Sequence, residues 1–263
     1  VPILANATSI RRPDGSISGA VVTFQDISAI KELERMRDEW VSLIAHDLRQ
    51  PVTVISGHTQ LLRRLLTRHA SPEKEQQTID NILTSAHNLD RMIGDLLDAS
   101  RIETRHLKIE KRPVDFASLI RGVVERSALV ARGHPVCLET RGEIPWLEVD
   151  PGRIDQALGN LLSNAAKYAY PDTEIRVEVA RKGGEVEVSV TDHGDGIAAD
   201  ELPRLFTRFY RTREAREKGV AGLGLGLYLS AKLIQANGGR LWAESIPHES
   251  TTFRFTLPIR DAR

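Results

Sequence analysis

Apolar residues that recur every seven positions constrain this chain more than any other feature of its sequence. One such line is Val41, Leu48, Ile55 and Leu62, with Ile44 and Leu65 beside it. At about 100° per residue these side chains share one face of a helix. We therefore predict a long helix that is capped by Asp26 or Ser28 and ends near residues 68–72.

A second helix is predicted after Ser71, a good capping residue that is followed by Pro72 in the first turn. Its two apolar lines are Ile79, Ala86, Ile93 and Ser100, and Ile82, Leu89 and Leu96. Two helices cannot bury lines this wide by themselves, so we expect a homodimer that forms a four-helix bundle. The alternative is a helical hairpin that packs on its own C-terminal domain.

His46 lies in the first helix and points away from the apolar line, towards water. An imidazole with its ordinary pKa of about 6.5 is largely neutral at cellular pH and offers a nitrogen lone pair. Asp47 can accept or orient the proton on the other ring nitrogen. Pro51 removes a backbone donor and predicts a kink. In isolation, an exposed His beside an Asp is more often only a solvated surface pair. A functional role for His46 therefore depends on what the second half of the chain contains.

Composition excludes several classes of protein. The 36 basic residues balance 36 acidic ones, so no global attraction to nucleic acid or to anionic membranes is expected. Cys137 is the only cysteine, which rules out an intramolecular disulfide framework and a cysteine-based zinc cluster. No apolar run is long enough to cross a membrane. We interpret the chain as an intracellular fragment, with a sensor or membrane segment expected upstream of Val1.

Residues 2–10 and 17–24 alternate as two strands around a turn at Pro13, Asp14 and Gly15, which predicts a β-hairpin. Residues 19–28 resemble the last strands of a PAS sensor domain, and an unrelated hairpin is the alternative. Too little of such a domain is present to bind a ligand.

Residues 101–113 form a charged connector suited to a hinge. Beyond it, the hydrophobic pattern alternates between helices and strands and predicts a two-layer α+β sandwich. The predicted helices cover 115–132, 151–169 and 223–237, and the predicted strands cover 136–140, 146–150, 174–181, 185–192, 240–246 and 251–259.

The helix at 151–169 carries Asn160, Asn164 and Lys167 on one face. Amide oxygens suit Mg²⁺ and a lysine suits phosphate, although structural polar pairing is also consistent with this pattern. Asp192 ends a strand, where a buried carboxylate can accept a hydrogen bond from an amine such as that of adenine. Gly194 and Gly196 follow it and let a flat ring approach the backbone, but this pattern alone can be an ordinary turn.

Two further segments belong to this domain. Residues 205–210 predict an aromatic helical turn, for which simple core packing is at least as good an explanation. Glycines then alternate from Gly219 through Gly222, Gly224 and Gly226 into a helix, where free backbone N–H groups can hold an anion. The segment is neither a Walker loop nor a Rossmann turn.

The order of these segments closely resembles the N, G1, F and G2 boxes of the ATP-binding domain shared by histidine kinases, gyrase-type ATPases and heat-shock chaperone ATPases. Together with His46, Asp47 and Pro51, the chain resembles a sensor histidine kinase of two-component signalling. This resemblance implies a PAS remnant at 1–27, a dimerisation and phosphotransfer domain at 28–104, a hinge at 105–112 and an ATP-binding domain at 113–263.

The resemblance also implies roles for individual residues. Asn164 would bind Mg²⁺ with support from Asn160, Lys167 would contact phosphate, Tyr168 would stack beside adenine and Asp192 would read its amino group. The remaining pocket residues would be Gly194, Gly196, Ile197, Gly222, Leu223, Gly224, Leu225 and Gly226. A mobile lid would span 207–221, with Arg208, Arg211, Arg213, Arg216 and Lys218 available to neutralise a triphosphate.

The expected reaction is Mg·ATP-dependent phosphorylation of His46, followed by transfer to an aspartate of a response regulator. Gln50 stands where the family usually has Thr or Asn, which puts the reverse phosphatase activity in doubt. The alternatives are a phosphatase-biased or scaffold module and an ATP-driven clamp of the chaperone or gyrase type. The clamp would need a water-activating carboxylate on the asparagine helix, where Asp155 is the only nearby acidic residue.

Overall fold

The computed structural model describes residues 1–11, 13, 17–67, 71–104, 106–128, 133–218 and 222–259. The chain divides into two compact units, Val1–Ile82 and Leu83–Arg263. Several predictions fall outside the described residues, namely the turn at Asp14 and Gly15, the helix end at 68–70 and the start of the glycine run at 219–221.

The first unit opens with the expected β-hairpin. Strand β1 (Ile3–Arg11) pairs antiparallel with β2 (Ile17–Asp26), with Ile3 opposite Asp26. Helix α1 (Ser28–Thr67) follows as a single 40-residue helix that runs on past Pro51, and the Ser28 N–H donates to Asp26 Oδ1 at 2.8 Å. Asp26 thus acts as the cap, because its carboxylate satisfies one of the backbone donors that a helix start leaves free.

Helix α2 (Pro72–Glu103) begins as predicted after Ser71, whose carbonyl accepts the Lys74 N–H at 3.0 Å. Ile79 and Ile93, from one predicted line, are 38% and 45% exposed. From Leu83 onwards α2 belongs to the second unit, and Met92, Asp98 and Ala99 are buried there. This part of α2 therefore packs on the C-terminal domain.

The second unit is a layer of helices on a five-stranded mixed sheet with the strand order β4-β6-β7-β9-β8. The sheet strands are β4 (Val136–Arg141), β6 (Ile175–Lys182), β7 (Glu185–Asp192), β8 (Arg240–Ile246) and β9 (Ser250–Pro258). The covering helices are α3 (Phe116–Ala128), α4 (Pro151–Tyr168) and α6 (Gly226–Ala236). Strands β4 and β6 are parallel, and the other pairs are antiparallel. This confirms the predicted α+β architecture.

The core lies between the sheet and the helices. In β6, Ile175, Val177 and Val179 are buried, while the residues between them are less so, as expected for a sheet with one face packed on helices. Opposite them, α4 contributes Leu158 and Leu161, both fully buried. Because these apolar side chains are buried together, the sheet and α4 form a rigid support for the polar residues on α4 and at the end of β7.

The structure adds elements that the sequence pattern did not predict. Strand β3 (Arg112–Val114) pairs antiparallel with β5 (Leu147–Val149), and a short helix α5 (Arg213–Glu217) lies in the predicted lid. Between the predicted domains, Leu107 packs against the core and the Glu110 N–H donates to Asp150 Oδ2 at 2.9 Å. Part of the expected hinge is therefore attached to the C-terminal domain.

The predicted aromatic helical turn at 205–210 was wrong. A 3-10 turn instead covers Leu202–Arg204, and Phe209 has a φ of +62°, which is incompatible with a right-handed helix. The Phe209 N–H donates to the Gly224 carbonyl at 3.1 Å, so a partner distant in sequence fixes this conformation. The helix expected from 223 starts at Gly226, because Gly222 and Gly224 have positive φ values of 143° and 67°.

Candidate functional site

A cavity of about 330 Å³ in the second unit collects most of the predicted site residues. It opens between the C-terminal part of α4, the end of β7, the glycine-rich segment and the residues before α6. The predicted residues that line it are Asn160, Asn164, Lys167, Tyr168, Asp192, Gly196, Ile197, Gly222, Leu223, Gly224, Leu225 and Gly226. Its volume is in the range of small-molecule sites.

Helix α4 supplies one wall. Asp150 caps the helix by accepting hydrogen bonds from the Gly152 and Arg153 N–H groups at 3.1 and 3.2 Å. The same helix then presents Asn160 and Asn164 to the cavity. The Asn160 Nδ2 atom is buried and has no hydrogen-bond partner among the described residues. A buried donor of this kind points to a ligand or water that would accept from it.

Asp192 supplies a carboxyl group to the cavity. It is 3% exposed at the end of β7, opposite Thr251 of β9. Burial raises the pKa of the Asp192 carboxyl to about 7, because the charged form loses its hydration. Among the residues that the structure describes, none donates a hydrogen bond to this carboxyl. The site therefore holds a carboxyl group ready to pair with a ligand donor.

The two glycines after Asp192 are both required by close contacts. A Cβ at Gly196 would lie 2.4 Å from the Ile246 carbonyl oxygen, and φ there is +66°. A Cβ at Gly194 would lie 2.2 Å from the Tyr168 carbonyl oxygen. Gly194 does not line the cavity but lets the loop close against the end of α4, with an isolated bridge between Ala169 and Gly194.

The backbone of the glycine-rich segment lies close to the polar side chains of α4. The Lys167 ammonium lies 3.5 Å from where a Gly222 Cβ would be, and Gly226 faces the Asn160 amide at 3.7 Å in the same way. A Gly224 Cβ would lie 2.7 Å from the Tyr210 carbonyl oxygen. Helix α6 starts at Gly226, so its unpaired N–H groups face a site that also contains a lysine.

Residues of the predicted lid also reach the cavity. Lys218 forms ion pairs with Asp195 and, at 2.9 Å, with Glu214. These two carboxylates raise the pKa of the Lys218 ammonium further above its usual range. Arg211 donates to the Ala215 carbonyl at 3.1 Å, and Tyr210 donates to Glu201 Oε1 at 3.1 Å. The described part of the lid is thus anchored to its surroundings by charged and polar contacts.

Sequence reasoning missed several cavity residues. From α2 these are Asn88, Arg91, Met92 and Asp95, and from the C-terminal domain they include Ser163, Thr212, Thr251 and Phe253. Spacings of three and four place Asn88, Arg91 and Asp95 on one helical face, which was a usable signal. It was overlooked because α2 was interpreted only through its apolar lines.

The predicted phosphoacceptor lies in the first unit. The His46 side chain is 77% exposed, whereas Asp47 is 11% exposed, and His46 Nδ1 lies 3.2 Å from Asp47 Oδ1. With Nδ1 as the donor, Nε2 carries the lone pair. Gln50 is exposed one turn further along α1. An exposed imidazole held by a buried carboxylate is suited to react with a bulky electrophile.

Two kinds of feature are absent from the part of the chain that is described, a metal-binding cluster and a membrane-spanning helix. No group of three or more His, Cys, Asp or Glu residues is arranged to hold a metal ion. Within the same residue ranges, no helix has both the length and the apolar character needed to cross a membrane.

Two family profiles match the chain in sequence. Residues 36–105 match the family described as "His Kinase A (phospho-acceptor) domain". Residues 149–261 match the family described as "Histidine kinase-, DNA gyrase B-, and HSP90-like ATPase". The first match contains His46. The second contains the predicted cavity residues from Asn160 to Gly226.

Known proteins described as sensor or histidine kinases are similar over most of the chain. The sensor protein kinase WalK of Staphylococcus saprophyticus is 28% identical over 96% of this chain and 42% of its own length. This chain thus spans less than half of that relative. The structure of full-length ShkA in complex with AMPPNP is similar, with a TM-score of 0.60 and 25% identity over 84% of this chain and 45% of that one.

A third protein shares the fold. Histidine kinase ThkA, in complex with response regulator protein TrrA, superposes with a TM-score of 0.59 at 24% identity, over 98% of this chain and 76% of that one. A phospho-acceptor family matches the region around His46, an ATPase family matches the region around the cavity, and a sensor protein kinase aligns with 96% of the chain: the chain belongs to the sensor histidine kinases.

Proposed function

We propose that this chain phosphorylates its own His46 with the γ-phosphoryl group of Mg·ATP and passes that group to an aspartate of a response regulator. The observation that carries the proposal is the paired environment of His46, whose exposed imidazole faces the buried Asp47 carboxylate at 3.2 Å.

In this proposal Asp47 holds the Nδ1–H of His46, which leaves the Nε2 lone pair directed outwards. Nε2 attacks the γ-phosphorus, the bond from phosphorus to the β,γ-bridging oxygen breaks, and ADP leaves with that electron pair. The ring then carries an extra positive charge, which Asp47 stabilises or removes by accepting the Nδ1 proton. General-base assistance of this kind contributes about 10²- to 10⁴-fold in rate.

The residues around the cavity fit a magnesium nucleotide. The buried Asn160 Nδ2 without a partner among the described residues can donate to a phosphate oxygen, and its amide supports Asn164, which would bind Mg²⁺ through its own amide oxygen. Lys167 would contact phosphate beside Gly222. Mg²⁺, when bound, would supply charge neutralisation for phosphoryl transfer.

The base would occupy the end of the cavity that contains Asp192. Its buried carboxylate would accept a hydrogen bond from the adenine amino group, and the Tyr168 ring would stack beside the base. Apolar and backbone surfaces would come from Ile197, Leu223, Leu225 and the surrounding glycines Gly196, Gly222, Gly224 and Gly226.

The partners and domain boundaries are part of the same proposal. We assign 1–27 to a PAS remnant, 28–104 to dimerisation and phosphotransfer, 105–112 to a hinge and 113–263 to the ATP-binding domain. The functional species is a homodimer placed in the cytoplasm, where ATP is available. The complex of ThkA with response regulator protein TrrA supports a response regulator as the partner of this fold.

The test is incubation of the purified chain with γ-labelled ATP and Mg²⁺. We expect acid-labile label on the protein, lost in His46→Gln and retained in His87→Gln, which changes an exposed histidine on α2. Label that survives in His46→Gln would contradict the assignment of the phosphoacceptor. ATP turnover without any protein-bound label would instead indicate a clamp-like ATPase.

A further inference from the structure

Helix α2 contributes a wall to the nucleotide cavity that its apolar pattern does not explain. Asn88, Arg91 and Asp95 share one helical face and line the cavity together with Met92. These residues belong to the same compact unit as the ATPase domain. A polar helix face at a cavity proposed to bind ATP calls for a binding role.

Asp98 continues this face by one turn and fastens it to α4. Its Oδ2 accepts hydrogen bonds from Arg153 Nη1 at 3.0 Å and from Gln156 Nε2 at 2.9 Å. Arg153 Nη1 also donates to Gln156 Oε1 at 3.0 Å. The Asp98 and Arg153 side chains are only 11% and 23% exposed, so water competes weakly for these contacts. We name Asp98, Arg153 and Gln156 the α2 clasp.

The α2 clasp joins the cavity face of α2 to helix α4. Arg153 and Gln156 lie on the face of α4 that continues, at spacings of three and four residues, to Asn160 and Asn164. Asp98 lies on the face of α2 that continues to Asp95 and Arg91. A contact at one end of two facing helices thus places Arg91 opposite the phosphate-binding wall of the cavity. The Glu103–Arg208 ion pair ties the end of α2 to the lid in addition.

Arg91 has the chemistry to contact phosphate. A guanidinium carries parallel N–H donors that match two phosphate oxygens. Asp95, four residues on, is partly buried, and the charge of Arg91 acts on its carboxyl. Their spacing of four residues puts the arginine and the carboxylate on the same face of α2.

We propose that Arg91 is a nucleotide-binding residue and that the α2 clasp holds it at the cavity, which couples nucleotide binding to the docking of α2. This inference rests on the proposed binding of ATP to the cavity. Coupling between two sites is reciprocal, so bound nucleotide also favours the docked position of α2. The helix that ends the phosphotransfer region then senses whether the ATPase domain is loaded.

The test is calorimetric titration of the full chain with Mg·ATP. We expect Arg91→Ala to weaken the Kd about tenfold, the order expected for hydrogen bonds to a charged group, and Arg91→Lys to weaken it less. Asp98→Ala should also weaken the Kd. Because the clasp acts through Arg91, the double variant should bind no more than about twofold more weakly than Arg91→Ala alone. Matched controls are Arg121→Ala and Asp90→Ala, two exposed residues outside the cavity lining.

The outcomes separate this inference from the proposed function. An Arg91→Ala variant that binds like Arg121→Ala, or an Asp98→Ala variant that binds ATP more tightly, would overturn the inference while ATP binding stands. If the unaltered chain itself does not bind Mg·ATP, the proposed function fails first. Should Asp98→Ala unfold, Gln156→Met removes one clasp donor and is expected to weaken the Kd in the same direction, and an unchanged Kd in that variant would count against the clasp.

Discussion

At the scale of single residues, Asp192 is placed for ligand binding at the expense of stability. Its pKa near 7 in the folded chain lies above the value of about 4 expected for the unfolded chain. Between these two pH values the unfolded state releases a proton that the folded state keeps. The free energy of unfolding therefore decreases as pH rises from about 4 to about 7 and is flat above.

Asp192→Asn should remove this decrease in the free energy of unfolding with rising pH. We expect the variant to gain on the order of 4 kcal/mol in stability at pH 8 and little at pH 4, because the amide needs no ionisation. It should bind ATP much more weakly, since the amide can present its N–H₂ to the adenine amino group. Thermal unfolding at the two pH values and ATP titration measure both effects. Asp90→Asn, an exposed change on α2, is the control, and a stability gain that does not depend on pH would contradict the assignment.

Asp47 is the second residue whose burial has a direct consequence. At 11% exposure and 3.2 Å from His46 Nδ1, it can fix the tautomer of the imidazole. Asp47→Asn should lower the rate of His46 labelling about 10²-fold, the lower end of general-base effects, and leave the Kd of ATP unchanged. The labelling rate of Asp47→Glu checks the role, because this variant keeps a carboxylate and should retain more of the rate than Asp47→Asn. Equal rates for both proteins would show that Asp47 is only structural.

At the scale of elements, replacing a glycine can destabilise the fold in two ways, through a positive φ and through a steric clash of the added Cβ. Gly224 and Gly183 separate these two effects. Gly224 and Gly183 have φ values of +67° and +62°, but a Cβ at Gly183 meets open space while one at Gly224 would lie 2.7 Å from the Tyr210 carbonyl. Both Ala variants should lose about 1–2 kcal/mol to the left-handed backbone. Only Gly224→Ala should also weaken ATP binding, because the segment before α6 must shift. Equal ATP affinities would contradict a pocket role for Gly224.

The elements that could be predicted are those whose signal is local. Strands β7 and β8 were predicted at their observed bounds, since β-branched and aromatic residues run up to a glycine or proline turn. Phe209 was assigned to a helix because its neighbours are apolar, while its true conformation depends on the carbonyl of Gly224, fifteen positions away. Strand β3 is only three residues long and exists through its pairing with β5. Neither feature has a local signal.

At the scale of the whole molecule, the family was predictable because four segments occur in one order, namely the asparagine helix, Asp192 with its glycines, residues 205–210 and the glycine run. Asn160, Lys167, Asp192 and Gly224 meet in one cavity, although each alone had a plain structural explanation. The α2 clasp was not predictable in this way. It joins Asp98 to Arg153 across 55 positions, and a buried aspartate on a helix gives no indication of its partner in the sequence.

Some apolar residues of α2 remain exposed in the single chain, which indicates a contact with a second copy and makes the oligomeric state testable. Leu83 and Leu97, two heptads apart, are 51% and 54% exposed in the single chain, which leaves a stripe for a second copy. Light scattering should give twice the mass of 29.3 kDa for the unaltered chain. In a symmetric dimer Leu83→Glu buries a charge at two related places, so that variant should have the mass of one chain. Thr84→Glu adds the same charge at the neighbouring exposed position and should remain dimeric. A dimer that survives Leu83→Glu would show that the stripe on α2 is not the contact between copies, and the four-helix bundle would then have to form through α1 alone.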